Sequence, residues 1–200
     1  MSLLPHSPAA IGSGESSPGE FSQQERNLLL SLAHDSILAA FNKHEISLHA
    51  PTPHLAEPRG VFTSLYLGGA LRGCVGYVLP AHSVYRAVAE TARAAALEDT
   101  RFNSVTREEA PMLEIELSIL SPPKPIQAEA VEIGRHGLLI SMAGHRGLLL
   151  PQVPVEHHWD RVTFLQQTCR KAGLALDAWQ RGATIEAFTA EIFGEKCAAG

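Results

Sequence analysis

Several shortages narrow what this chain of 200 residues can be. Charge of neither sign dominates: 16 Lys and Arg against 21 Asp and Glu leave a formal net charge of −5, so no basic surplus marks nucleic acid as a partner. No apolar run approaches the ~20 residues of a membrane span. The opening stretch MSLLPHSPAAIGSGESSPGE has no cationic region followed by an apolar one, which removes the secretory-signal pattern. Cysteine is scarce, and Cys74, Cys169 and Cys197 are odd in number and unevenly spaced, which fits neither a disulfide framework nor a clustered metal site. A reducing cytoplasm is the expected compartment. What remains, 45% hydrophobic and 18% charged residues, is the composition of a globular chain able to bury one sizeable core.

Residues 1–20, rich in Ser, Pro and Gly and without apolar periodicity, read as a disordered leader, with one domain over 21–196. Ser22 followed by Glu25 is a capping-box pattern that opens a helix, along which Leu28, Leu29, Leu32, Ile37, Ala40 and Phe41 recur at helical spacing. GVFTSLYL and LRGCVGYV flank Gly68-Gly69 as the arms of a hairpin. Ser83 caps an alanine-rich helix, and Thr106 with Glu109 forms a second capping box over a short helical turn. LEIELSIL alternates strictly, with Leu113, Ile115, Leu117 and Ile119 on one face and Glu114, Glu116 and Ser118 on the other, as a half-buried strand does. A second hairpin turns through 143–146. Asp160 caps a helix with Trp159, Val162, Leu165 and Cys169 on its apolar side, which Gly173 ends, and ATIEAFTAEIF reads as one closing strand. Helices and strands without a regular alternation predict an α+β fold with a mixed or antiparallel sheet.

LYLGGALRGCVGYVLP raises the functional question, because four glycines weaken the strand that contains them. Strand alternation places Arg72, Cys74 and Gly76 on one face, with Leu71, Gly73, Val75 and Tyr77 on the other. A thiol near a guanidinium has its anionic form favoured, which suits nucleophilic attack or metal ligation, and Gly76 leaves space beside the sulfur. Gly73 admits a backbone from behind or permits a bulge. The competing reading makes Cys74 a small buried hydrophobe and the glycines an accommodation to helix packing.

These residues carry a resemblance. LRGCVGYVLP, RAAALEDTRFNSVTREEAPMLEIELSIL, IGRHGLLI, RGLLLPQVPVEHHWD and FLQQTCRKAGL together resemble the AMMECR1 domain family, protein A of the AmmeMemoRadiSam system, over roughly residues 22–195. Val75 replaces the family's usual Ile, and Tyr77 stands where a small polar residue is common. The resemblance implies a two-lobed α+β fold whose cleft carries the Arg-Gly-Cys strand. It also implies Memo-type and radical SAM proteins as partners, and it brings no established reaction, cofactor or substrate.

Other candidates fall beyond that strand. Gln152, Glu156 and His157 follow a strand end, where Glu156 or a histidine suits a general base and Gln152 an orienting amide; the plainer alternative is a solvated break at Pro151 and Pro154. Arg135 and His136, between glycines, suit an anionic group or simply a solvated turn. His157 and His158 diverge as neighbours and chelate poorly, so no metal is expected from ligand spacing. Two function classes stand: a cysteine-dependent enzyme using Cys74, Arg72, Glu156 and Gln152, or a noncatalytic module that binds a small anionic ligand or the partner proteins in a glycine-rich cleft.

Overall fold

The computed structural model describes residues 19–195, so the expected leader, save its last two residues, lies outside the described residues, as does Cys197. Glu20 is already anchored: its backbone N–H donates to Glu191 at 2.6 Å, and Arg59 donates to its carboxylate. Helix α1 (Gln23–Asn42) opens with both halves of the Ser22–Glu25 capping box and buries Leu29, Leu32, Ala33 and Ile37. Strands β1 (Val61–Leu67) and β2 (Ala70–Tyr77) form the first hairpin, turning where Gly68 and Gly69 take positive φ of 57° and 80°, a conformation open to glycine. Helix α2 (Val84–Leu97) follows, capped by Ser83, whose hydroxyl accepts from the Arg86 N–H. Then comes β3 (Glu114–Leu120), with Ile115, Leu117 and Ile119 at most 1% exposed as its alternation requires.

Two four-stranded antiparallel sheets organise the molecule. The first runs β2-β1-β3-β8, with β8 at Ala190–Gly194, and α1 and α2 cover one face of it. Thr63 and Thr91 meet inside that layer at 2.8 Å between hydroxyls, so both buried oxygens are paired. The second runs β4-β7-β5-β6, from β4 (Lys124–Pro125), β5 (Gly137–Met142), β6 (His145–Leu149) and β7 (Thr184–Phe188). Helix α4 (Arg161–Lys171), capped by Asp160, lies on one face of that sheet with Phe164, Leu165 and Cys169 fully buried. Val162, expected on the apolar stripe, is 45% exposed, and Phe164 takes the core position instead.

The closing segment is two strands rather than one. Ser121 and Thr189 clasp each other, the Ser121 N–H to the Thr189 carbonyl at 2.9 Å and the Thr189 N–H to the Ser121 hydroxyl at 3.0 Å, where the chain steps from one sheet to the other. Alternation on both sides of the step imitates a continuous strand. Around this crossover the lobes meet through Leu79, Leu120, Leu139, Leu148 and Phe188, enclosing an apolar cavity of about 60 Å³.

Candidate functional site

The face of the first sheet turned away from the helices carries the candidate thiol, Cys74. Register brings Cys74 opposite Ser64, and Ser64 opposite Glu116, so a thiol, a hydroxyl and a carboxylate line up across three strands. The Ser64 hydroxyl donates to Cys74 Sγ at 3.3 Å. Tyr66 stands two residues further along β1 on that face, its hydroxyl 3.5 Å from Glu116 Oε1. All four residues are half-buried. Cys74 lies four residues before Val78, which follows β2 and lines the lobe junction, an extended rise of about 13 Å.

The glycines are explained one by one. A Cβ on Gly73 would lie 2.1 Å from the Ala95 carbonyl oxygen of α2, so helix backbone rests directly on the strand there. Gly76 does not leave an empty space beside Cys74: its cross-strand partner Phe62 folds its ring over it, 2.3 Å from where a Cβ would stand.

Arg72 is displaced from the expected face. The pairing steps from Leu65–Gly73 to Tyr66–Leu71, which leaves Arg72 as the extra residue of a β-bulge and breaks the alternation that would set it beside Cys74. Its guanidinium donates to Glu109 at 3.3 and 3.0 Å, to the Ser104 carbonyl at 3.1 Å and to the Asn103 carbonyl. Glu109 lies below the ordinary carboxylate value, first because the Thr106 backbone N–H donates to it and next because of Arg72.

The cation beside Cys74 is Arg101 instead. Its Nη2 donates to the Cys74 carbonyl at 2.9 Å, and the thiol is among the groups that hold the guanidinium above its ordinary value, after Asp99. Asp99, only 6% exposed, grips the fork of Arg101 at 2.9 and 2.7 Å and accepts the Cys74 N–H at 2.9 Å. Asp99 sits far below the usual carboxylate range, chiefly through Arg101 and then through that N–H. Sequence reasoning passed over both residues. The signal available was the short segment Asp-Thr-Arg directly after α2, a helix-ending turn whose Asp side chain binds the backbone two residues on, as Asp99 does with the Arg101 N–H at 3.2 Å.

The second expected group lies in the other lobe. Gln152 and Glu156 belong to a short helix, α3 (Gln152–Glu156), rather than a loop, because Pro151 and the buried Pro154 fall in its first turn, where proline is tolerated. Gln152, Glu156 and His157 are exposed, and His157 stacks on Trp159 with ring centroids 4.7 Å apart. Arg135 pairs with Glu132 at 3.1 Å, and the N–H groups of Arg135 and His136 both donate to the Glu132 carbonyl, so that turn does not present them to an anion. His136 Nδ1 accepts the Glu132 N–H at 3.0 Å. No hydrogen bond or ion pair among the described residues joins any of these side chains to Cys74.

Among the described residues, Glu20, His54 and Glu57 bring ligand atoms within 4.8 Å of one another. A cation already serves them: buried Arg59 donates to Glu20 and, at 2.8 Å, to Glu57, and although burial pushes its guanidinium down, those two carboxylates hold it above its ordinary value. The cluster is an ion-pair knot that ties Glu20, just before α1, to the loop leading into β1. No helix among the described residues is long and apolar enough to cross a membrane.

Two antiparallel sheets with helices on one face of each, and a half-buried thiol on the polar face of the first, define a two-lobed α+β protein with one chemically distinctive strand. The comparisons agree with that class. A family profile described as AMMECR1 matches residues 30–193. A Methanopyrus kandleri protein is 39% identical over 186 residues, covering 86% of this chain and 89% of its own, and an Aquifex aeolicus protein is 38% identical over 178 residues, covering 84% and 91%. The crystal structure of an uncharacterised protein from Pyrococcus horikoshii superposes with a TM-score of 0.66 at 37% identity, over 86% of this chain and 92% of that one. The chain belongs to the AMMECR1 family.

Proposed function

We propose that the protein is a cysteine-dependent enzyme, or the thiol-bearing component of an enzyme system, with Cys74 as its reacting nucleophile. One observation carries the reading: Cys74 is half-buried on a polar sheet face, its Sγ accepts a hydrogen bond from Ser64 at 3.3 Å, and the Arg101 guanidinium is bound to its carbonyl. A structural cysteine looks different, and Cys169 supplies the contrast: fully buried among apolar side chains, with burial pushing its thiol up. Hydroxyl and guanidinium are the two kinds of neighbour that favour a sulfur anion, and the thiolate is the nucleophile.

Arg101 replaces Arg72 as the electrostatic partner in this reading, and among the described residues no hydrogen bond or ion pair gives Glu156 or Gln152 a part in it. An electrophilic substrate is implied, approaching over the sheet face past Phe62 and Tyr66. The cytoplasm suits a working free thiol. Memo-type and radical SAM proteins follow as partners from the family alone.

Iodoacetamide labelling of the native protein, read at each cysteine by mass spectrometry, tests the proposal. Cys74 is expected to react about 100-fold faster than Cys169, since thiolate character and access govern the rate. Cys74→Ala is expected to leave the melting temperature nearly unchanged. Labelling of Cys74 only after unfolding would overturn the reading and leave a noncatalytic binding module as the better account.

A further inference from the structure

We propose that Asp99 is a positioning residue that acts on Cys74 through Arg101, holding the guanidinium on the Cys74 carbonyl. The inference rests on the reading of Cys74 as the reacting thiol.

A free arginine side chain loses much rotamer entropy when fixed in one place, so an exposed one stays put only where it is gripped. The Arg101 side chain is 61% exposed, whereas that of Asp99 is 6% exposed. Asp99 takes the fork with both oxygens, Oδ1 from Nε at 2.9 Å and Oδ2 from Nη2 at 2.7 Å. The same Oδ2 accepts the Cys74 N–H at 2.9 Å, and Arg101 Nη2 returns to the Cys74 carbonyl at 2.9 Å. Carboxylate, guanidinium and the Cys74 backbone therefore close a ring, and one anchor sets both the strand and the cation. The guanidinium also lies over the Phe102 ring, 5.5 Å from its centroid, which leaves it less room to swing away.

The sign of the effect separates positioning from charge. Asp99 is an anion next to Cys74, and as a bare charge it disfavours a second anion at the sulfur. Only through Arg101 does it work in the opposite sense. The other ionisable groups on this face include Tyr66 from β1 and Glu114 and Glu116 from β3, while α2 meets the opposite face of β2 at the Gly73 backbone.

The test is the rate constant for iodoacetamide at Cys74 at one fixed pH, with the melting temperature of each variant as the control for folding. Arg101→Gln is expected to slow labelling about tenfold, and Arg101→Lys to recover part of the loss by restoring the charge. Asp99→Asn keeps an oxygen for the Cys74 N–H but loses the charged grip, and is expected to slow labelling several-fold. In the Arg101→Gln background the same change is expected to leave the rate unchanged or to raise it, a reversal that a purely structural role does not produce. Asp99→Glu keeps the charge and lengthens the arm, so it too is expected to slow labelling, and it serves if Asp99→Asn fails to fold.

Asp99→Asn that labels faster than, or as fast as, the parent overturns the positioning role. If Arg101→Gln itself labels like the parent, the guanidinium does not act on the thiol and the inference falls; labelling of the parent's Cys74 only after unfolding would instead bring down the thiol reading it rests on. If Arg101→Gln slows labelling and the Asp99 variants do not, only the role of Asp99 falls.

Discussion

The two lobes repeat one construction and then part company. In each, an edge strand carries a glycine on which helix backbone rests: Gly73 under Ala95 of α2 in the first sheet, Gly147 under Ala172, just past α4, in the second. In each, a phenylalanine folds over its cross-strand glycine, Phe62 over Gly76 and Phe188 over Gly137. The difference lies on the faces turned from the helices. Leu139, Leu148 and Phe188 of the second sheet are spent on the lobe junction, whereas Ser64, Tyr66, Cys74 and Glu116 of the first are polar and half-buried. Shared construction accounts for the glycines; the outer face of the first sheet carries the thiol, whereas that of the second carries Ser141, Arg146, Thr184 and Glu186 beside its junction residues.

The largest effect expected is on the shared part. Gly73→Ala places a Cβ 2.1 Å from the Ala95 carbonyl oxygen, and Gly147→Ala places one 2.2 Å from the Ala172 nitrogen. Neither neighbour is a flexible side chain, so helix and strand must separate, and each change is expected to destabilise by roughly 2–3 kcal/mol. Urea midpoints measure it. Tolerance of one change and not the other would break the parallel between the lobes and return the tolerated glycine to a role at the surface.

Most of the scaffold was legible because local patterns there agree with the tertiary answer. The capping box at Ser22, the glycine turn at 68–69, the alternation from Leu113 to Ile119 and the stop at Gly173 each appear in the structure. What was not legible depended on register. The bulge at Arg72 inserts one residue into β2, and nothing in LRGC shows that the alternation breaks there rather than at Gly73. Once Arg72 leaves the face, the cation has to come from a turn 27 residues further on, an encounter that no local spacing encodes. The step between sheets at Thr189 was hidden for the opposite reason, since apolar alternation continues straight through it.

A smaller effect sharpens the difference between Arg72 and Arg101. If Arg72 is a structural tie to Glu109, its contribution follows the carboxylate. Glu109 lies below its ordinary value of 4.5 in the folded protein, so the stability it adds is fully present above that value and is lost as pH falls through the lower, folded one. Glu109→Gln keeps an oxygen for the Thr106 N–H and removes the charge facing Arg72. The variant is expected to melt lower than the parent at neutral pH, with the gap closing on acidification below about pH 4.5, while Cys74 labelling stays at the parental rate. Thermal melts across pH check the first part. A labelling rate that falls with Glu109→Gln would put Arg72 back into the thiol's surroundings.

The smallest effects are expected in the second lobe, where sequence spacing placed a base and an orienting amide. A general base must come within hydrogen-bond reach of the proton it removes, directly or through one water. Glu156 and Gln152 are exposed on α3, and among the described residues no hydrogen bond or ion pair joins either side chain to β2. Glu156→Gln and Gln152→Ala are therefore expected to change stability by no more than about 0.5 kcal/mol, the usual range for surface substitutions. They are also expected to leave the alkylation rate of Cys74 at the parental value. A clear slowing by either change, with the melting temperature held, would mean that the second lobe reaches the thiol. The polar face of the first sheet would then be one wall of a site shared between lobes, and the asymmetry between the two sheets would be smaller than their outer faces indicate.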